Sequence, residues 1–202
     1  MSKTKIAVLV SGGGTNLQAL LDAQQAGKIP HGEITVVIAS KPGVYALERA
    51  AKAGVPGFVA CKKDLGSQEA FEAEISRILE ENEIELIVLA GFMSILSAEF
   101  TVKWPERILN IHPALIPSFC GKGMYGLKVH EAALEKGVKV SGATVHFVNE
   151  IPDGGEILLQ KAVDVLPGDT AEELQLRIMQ QAEWILLPQA VEMVSEKIAK
   201  EK

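Results

Sequence analysis

Asn110 and His112 stand two residues apart in the run Arg107-Ile-Leu-Asn-Ile-His-Pro-Ala-Leu-Ile-Pro117. The run begins as an apolar, strand-like stretch and stops at Pro113, which has no N–H to give to a ladder. Side chains two apart on a strand point the same way, so an amide and an imidazole would share a face where the strand ends. His112 can hold or pass a proton near neutral pH, and Asn110 can donate to an oxygen that gains negative charge. The plainer alternative is an Asn capping a turn and a His bonded to backbone. Thr144 and His146 repeat the spacing in the run 141–148, where His146 alone reads as a packed strand histidine. Asp153 precedes two glycines and suits a turn. Folded over beside His112, its carboxylate would orient the imidazole and raise its pKa. His31 and His130 read as surface or helix residues.

A second kind of chemistry belongs to Ser11-Gly-Gly-Gly-Thr-Asn16, which follows a strand-like run and opens an amphipathic one. Backbone N–H groups converge there, and the helix dipole favours an anion. The loop lacks the Walker lysine and does not read G-x-G-x-x-G. It suits a monophosphate, or merely a tight turn, more than a full nucleotide cofactor. Glu183 lies in an otherwise apolar helical stretch and either reaches solvent or binds something polar. The run Ala90-Gly-Phe-Met-Ser-Ile-Leu96 is plain core or the lining of a pocket for a flat aromatic ligand.

The elements that must position these residues alternate. Apolar strand-like runs fall at 5–10, 34–39, 56–60 and 85–90, with helical patterns at 17–26, 45–53 and 67–81 between them. In the last helix Ala70, Phe71, Ile75, Ile78 and Leu79 share one face. Such alternation implies an α/β fold with a mostly parallel sheet and helices on both faces. The second half is less regular. A glycine-rich loop at 118–126 leads to a helix at 127–135, and strands at 141–148 and 157–162 flank a polar turn, which makes that pair antiparallel. An N-cap and early acids at 169–173 open a long helical pattern, interrupted at Pro188. With no repeat and no linker, one domain over 1–202 is the economical reading.

Of the 202 residues, 48% are hydrophobic and 23% charged, with a net charge of -6. No global basic field draws such a chain to nucleic acid or membrane, so a phosphate must be held by local devices. Cys61 and Cys120 lack metal-type spacing and fit a reducing compartment. No run approaches the roughly 18–20 apolar residues of a membrane span, and Met1 leads almost directly into a strand. A cytoplasmic location is expected.

The stretches 11–20, 90–93, 109–117, 141–148 and 153–155, in this order, resemble the folate-dependent phosphoribosylglycinamide formyltransferase family. The resemblance covers the whole chain, and its most specific element is Asn-x-His-Pro combined with the distant Asp-Gly-Gly. It implies a Rossmann-like formyltransferase fold and transfer of a formyl group from 10-formyltetrahydrofolate to the amine of glycinamide ribonucleotide. The family triad falls on Asn110, His112 and Asp153, and the substrate phosphate on Gly12, Gly13, Gly14, Thr15 and Asn16. Glu183 matches a glutamate that holds the glycinamide end. The pterin is expected near Met93, Ser94, Ile95, Leu96, Ile108 and Val148, with Thr144 and His146 in support. No metal is expected, and a monomer or weak homodimer is. Several relatives carry an arginine where this chain has Ser94. The competing readings are a formyltetrahydrofolate deformylase, a methionyl-tRNA formyltransferase and a non-catalytic phosphate-binding module.

Overall fold

Alternate residues of the first strand go to opposite sides, and that alternation sets the architecture. The computed structural model describes residues 2–202. Its first half runs β1 (Thr4–Val10), α1 (Thr15–Gln25), β2 (Gly32–Ala39), α2 (Tyr45–Lys52), β3 (Gly57–Val59), α3 (Lys62–Leu65), α4 (Gln68–Glu81) and β4 (Leu86–Leu89). It continues as α5 (Ala98–Thr101), β5 (Ile108–His112), α6 (Leu127–Lys136), β6 (Val140–Phe147), β7 (Ile157–Asp164) and α7 (Ala171–Ile178). A π-helical turn, Met179–Glu183, leads into α8 (Trp184–Lys200).

Ile6, Val8 and Val10 of β1 enter one core, with Leu17 and Leu20 of α1, Ala46 and Ala50 of α2, and Leu187 and Val191 of α8. Ala7 and Leu9 enter the other, with Phe71, Ile75 and Leu79 of α4 and Phe100 of α5. A strand that is apolar on both faces must be covered on both. Truncating one of these large buried side chains to Ala costs on the order of 2–5 kcal/mol.

The seven strands lie in the order β3-β2-β1-β4-β5-β6-β7. Pairs from β3 to β5 are parallel, while β5–β6 and β6–β7 are antiparallel. The mostly parallel sheet and its antiparallel C-terminal part are therefore as expected. The order reverses at β1, whose chain neighbour β2 lies on one side and β4 on the other. In open α/β sheets that is where ligands enter, at the carboxyl ends of the strands.

The N-cap expected within 169–173 is present, and two other local expectations change. Thr170 caps α7 in a reciprocal box with Glu173. Asp169 instead binds Arg177 through two oxygens, at 2.5 and 2.6 Å. The long C-terminal helix is not interrupted at Pro188, which lies buried inside α8. Its missing N–H forfeits one bond to Trp184, but Leu187, Ala190 and Val191 around it are fully buried and hold the segment in place. The irregularity comes earlier, at the π turn.

The second change concerns His130, which sits on a helix, α6, but has no exposed surface. Both its ring nitrogens lack a hydrogen-bond partner. Burial, with a smaller push from the charge of His112, lowers its pKa from 6.5 to about 4. Between those values the unfolded chain binds a proton that the folded chain refuses, so stability falls as pH drops through that window. We predict that this group alone removes roughly 3 kcal/mol between about pH 7 and about pH 4. Urea unfolding midpoints should converge in that range for His130→Leu, whose acid loss is smaller than that of the unsubstituted chain.

Candidate active site

The face of β5 that is apolar at its start turns polar at its end. Leu109 and Ile111 belong to the first core, and Ile108 to the second. Asn110 and His112 continue the face of Ile108 past the end of that core. On antiparallel β6, His146 lies opposite Asn110 and Thr144 opposite His112. Four polar side chains thus meet where two strands pair.

Each has a distinct set of partners. Thr144 Oγ1 donates to the Ala114 carbonyl at 2.7 Å and accepts the Ile116 N–H at 3.1 Å. It pins the chain just beyond Pro113 and does not line the cleft. His146 Nδ1 lies 2.7 Å from the Phe147 carbonyl, which can only accept, so that nitrogen carries a proton. In the neutral ring Nε2 is then free to accept from Asn110 Nδ2, 3.2 Å away. By the same reasoning His112 Nε2 donates to the Phe119 carbonyl at 2.8 Å, leaving Nδ1 toward Asp153.

Asp153 reaches this group because its turn lies tightly on the end of β6. A Cβ on Gly155 would stand 1.8 Å from the Phe147 carbonyl oxygen, so only glycine permits the approach. Asp153 itself takes a left-handed φ of 56°. Its carboxylate lies 3.7 Å from His112 Nδ1 and 3.6 Å from His146 Nε2. It accepts the Gly121 N–H at 2.8 Å.

Burial pushes the Asp153 carboxyl up, but the nearby His146 imidazole, the Gly121 N–H and His112 pull it down further, below its ordinary value. For His112 the balance is reversed. Burial lowers its pKa, and the attraction of Asp153 and the Phe119 carbonyl restores only part of that. The sequence reading expected Asp153 to raise the pKa of His112. The carboxylate does act in that direction, but at 3.7 Å it does not overcome burial, and the net shift is downward.

The glycine loop forms the other wall. Gly13, Gly14, Thr15 and Asn16 share with Asn110, His112 and Asp153 a cleft of about 510 Å³. Gly12 stands behind it, its carbonyl accepting from Ala46 N at 3.2 Å. Glu183 is buried at the cleft wall and accepts from Asn16 Nδ2 at 2.7 Å. It does not reach solvent. Burial raises its pKa, and Asn16 offsets this in part. Met93, Ser94 and Ile95 line the opening, with Met93 and Ile95 well exposed. Leu96, Ile108 and Val148 do not line the cleft. The first two are buried in the second core, against which Val148 packs, because on this face of β5 that core extends to Ile108, two residues before Asn110.

Some lining residues escaped the sequence reading. Gln175 and Met179 face the cleft with Glu183, and their spacing by fours along one helix was a usable signal. The Phe119 carbonyl and the Gly121 N–H are backbone groups with no signature in residue type. A larger groove of about 780 Å³ runs between α1 and α8 but contains none of the catalytic candidates.

Geometry therefore defines an α/β protein with an acid–base cluster and an anion-type loop in one cleft at the strand carboxyl ends. Comparison with known proteins supplies the family. Formyl transferase sequences match residues 4–191, and the chain belongs to that family. A phosphoribosylglycinamide formyltransferase of Haemophilus influenzae is 41% identical over 95% of this chain and 87% of its own length. The human trifunctional purine biosynthetic protein adenosine-3 is 44% identical over 96% of this chain. This chain spans only 13% to 19% of the length of the trifunctional relatives it matches. The crystal structure of glycinamide ribonucleotide transformylase 1 from Symbiobacterium toebii superposes with a TM-score of 0.90 at 42% identity, covering 96% of this chain and 89% of that one.

Because Gly155 is what lets Asp153 dock, Gly155→Ala should lift the turn off β6. We expect at least ~1–3 kcal/mol of lost stability in thermal unfolding. Activity should fall to the level of an Asp153 variant, measured side by side.

Proposed function

We propose that this chain transfers the formyl group of 10-formyltetrahydrofolate to the amine of glycinamide ribonucleotide, the formyl transfer of purine biosynthesis. One observation carries the reading: the glycine loop, Glu183 and the Asn110–His112–Asp153 cluster open into a single cleft. The names of the relatives that this chain matches over nearly its full length support glycinamide ribonucleotide as the acceptor and a formyl group as what is transferred.

In this reading the phosphate lies on the N–H groups of residues 12–16, and Glu183 accepts from the glycinamide end. The pterin enters past Met93, Ser94 and Ile95. The neutral amine attacks the formyl carbon, and the carbonyl oxygen becomes an oxyanion. Asn110 Nδ2 donates to that oxygen, a contribution on the order of 3 kcal/mol. His112 starts neutral and takes the proton that the new ammonium sheds. The imidazolium so formed faces Asp153 and stabilises the oxyanion. Its proton then passes to N10 of the folate as the carbon–N10 bond breaks and the carbonyl re-forms. The transfer is balanced without a covalent enzyme intermediate, and no step calls on a metal. His146 holds the Asn110 amide, and Thr144 holds the loop beyond Pro113. The free thiols Cys61 and Cys120 support a cytoplasmic location, and the one sheet that holds all the strands supports a single domain.

Purified protein given both substrates should release tetrahydrofolate only when the ribonucleotide is present. Equal release without it, with formate as product, would mean a hydrolase instead. His112→Ala should lose about 10²–10⁴-fold in kcat/KM, the range of a lost general acid–base. The acid limb of the kcat/KM profile should fall below the ordinary histidine value of 6.5. In Asp153→Asn the attraction that opposes burial is gone, so that limb should move further to acid while the rate drops. A limb that shifts toward alkali in this variant would contradict the assignment.

A further inference from the structure

The glycine loop is shaped from behind by α2. The Gly12 carbonyl accepts from the Ala46 N–H at 3.2 Å, and the Gly13 carbonyl accepts from Arg49 Nε at 2.8 Å. In a trans peptide the C=O and the following N–H point opposite ways. Holding these two carbonyls against α2 therefore turns the Gly13 and Gly14 N–H groups away from α2. Both residues line the cleft. Gly14, with φ 73°, completes the turn, and a Cβ there would stand 2.7 Å from that of Ala46. Helix α2 thus packs directly on the loop through the Ala46 methyl group and the Arg49 side chain.

Arg49 is held in this position from three sides. Its guanidinium carbon lies 4.8 Å from the centre of the Tyr45 ring, and Nη1 donates to Gln18 Oε1 at 2.9 Å. Gln18 in turn donates to Asp22, at 2.8 Å. No carboxylate pairs directly with Arg49 among the described residues, although each of the other three arginines has one. In a chain of net charge -6, this leaves a positive charge beside the loop that is not cancelled by a direct partner.

We propose that Arg49 is the positioning residue of the phosphate site, orienting the Gly14 N–H through the Gly13 carbonyl and supplying the local positive charge. The inference rests on the reading of residues 12–16 as that site. A lysine could restore charge but not the directed Nε–H bond to the carbonyl, because the guanidinium presents its donors in a fixed fork.

The test uses the whole chain and two probes, ribose 5-phosphate and ribose, titrated by calorimetry. The unsubstituted protein should bind the phosphorylated sugar and not the plain one. Arg49→Gln should weaken ribose 5-phosphate about tenfold, the size of one charge-assisted hydrogen bond. Arg49→Lys should recover only part of this, with less loss at high salt than for the unsubstituted chain. In turnover, KM for the ribonucleotide should rise in Arg49→Gln while KM for the folate stays put. That split, with an unchanged thermal unfolding midpoint, is one that a merely structural role would not produce. Equal ribose 5-phosphate affinity in Arg49→Gln and the unsubstituted chain would overturn the role of Arg49 and leave the phosphate site standing. Equal binding of ribose and ribose 5-phosphate by the unsubstituted chain would remove the phosphate site itself, and this inference with it.

Discussion

The carboxylate of Asp153, set between two buried imidazoles, is the contact on which the polar cluster of the candidate site depends. Its side chain keeps 13% of its exposure, and those of His112 and His146 keep 5% and 1%. A carboxylate this far out of water is expensive unless it is hydrogen-bonded and faces positive charge. The Gly121 N–H supplies the first, and the imidazoles supply the second when either is protonated. The same carboxylate sets the proton affinity of His112 against the burial that lowers it. Small movements of the turn at 149–155 therefore change both the charge and the direction of the imidazole.

Two loops meet at that carboxylate, which couples them. The segment 118–126 contributes the Phe119 carbonyl to His112 and the Gly121 N–H to Asp153. With Nε2 donating to Phe119, the lone pair of neutral His112 is on Nδ1, which faces Asp153 across 3.7 Å without a hydrogen bond. Any movement of the Phe119 contact shifts the loop that also holds Asp153, so the orientation of the ring and the position of the carboxylate change together. On the opposite wall Asn16 joins the glycine loop to Glu183 across 167 positions of sequence. The cleft is closed at both ends by hydrogen bonds between segments distant in the chain.

Much of this was legible in residue types. The alternation of β1 between two cores, the common face of Asn110 and His112 and the break at Pro113 follow from strand periodicity. The glycine loop follows from its place between a strand and a helix. The features that were not legible depended on distances through space. Nothing local says that Gly155 must touch Phe147, yet that contact decides whether Asp153 is a turn former or part of the site. His130 carries a polar side chain on a short helix, and only the packing of α6 shows that it is buried. Leu96, Ile108 and Val148 have the composition of a pocket lining and of a core alike, and core packing claimed all three. Pro188 looked like a breaker because its lost hydrogen bond is a local cost, whereas the burial that outweighs it is not local.

Several departures from regular backbone gather at the cleft. Gly14, Gly91, Phe119, Gly121, Gly123, Gly126 and Asp153 all have positive φ. All but Phe119 line the cleft, and Phe119 bonds to His112 inside it. The π turn ends at Glu183 on the same wall. Glu83 and Glu106, the other non-glycine residues with positive φ, lie just before β4 and β5 and turn the chain into those strands. Left-handed non-glycine residues cost of order 1–3 kcal/mol and persist only where the surroundings over-determine them. Here the surroundings are two cores filled from opposite faces of one sheet, rigid enough to hold irregular loops at the strand ends. The extra residue of the π turn similarly rotates α8 relative to α7. Ala182 and Leu186 can then face the first core while Glu183 between them turns to Asn16. Regular strands provide the register that sets Asn110 beside His146, and irregular turns bring Asp153 and Glu183 to it. A wholly regular fold of the same composition would bury these acids without partners or leave them in solvent.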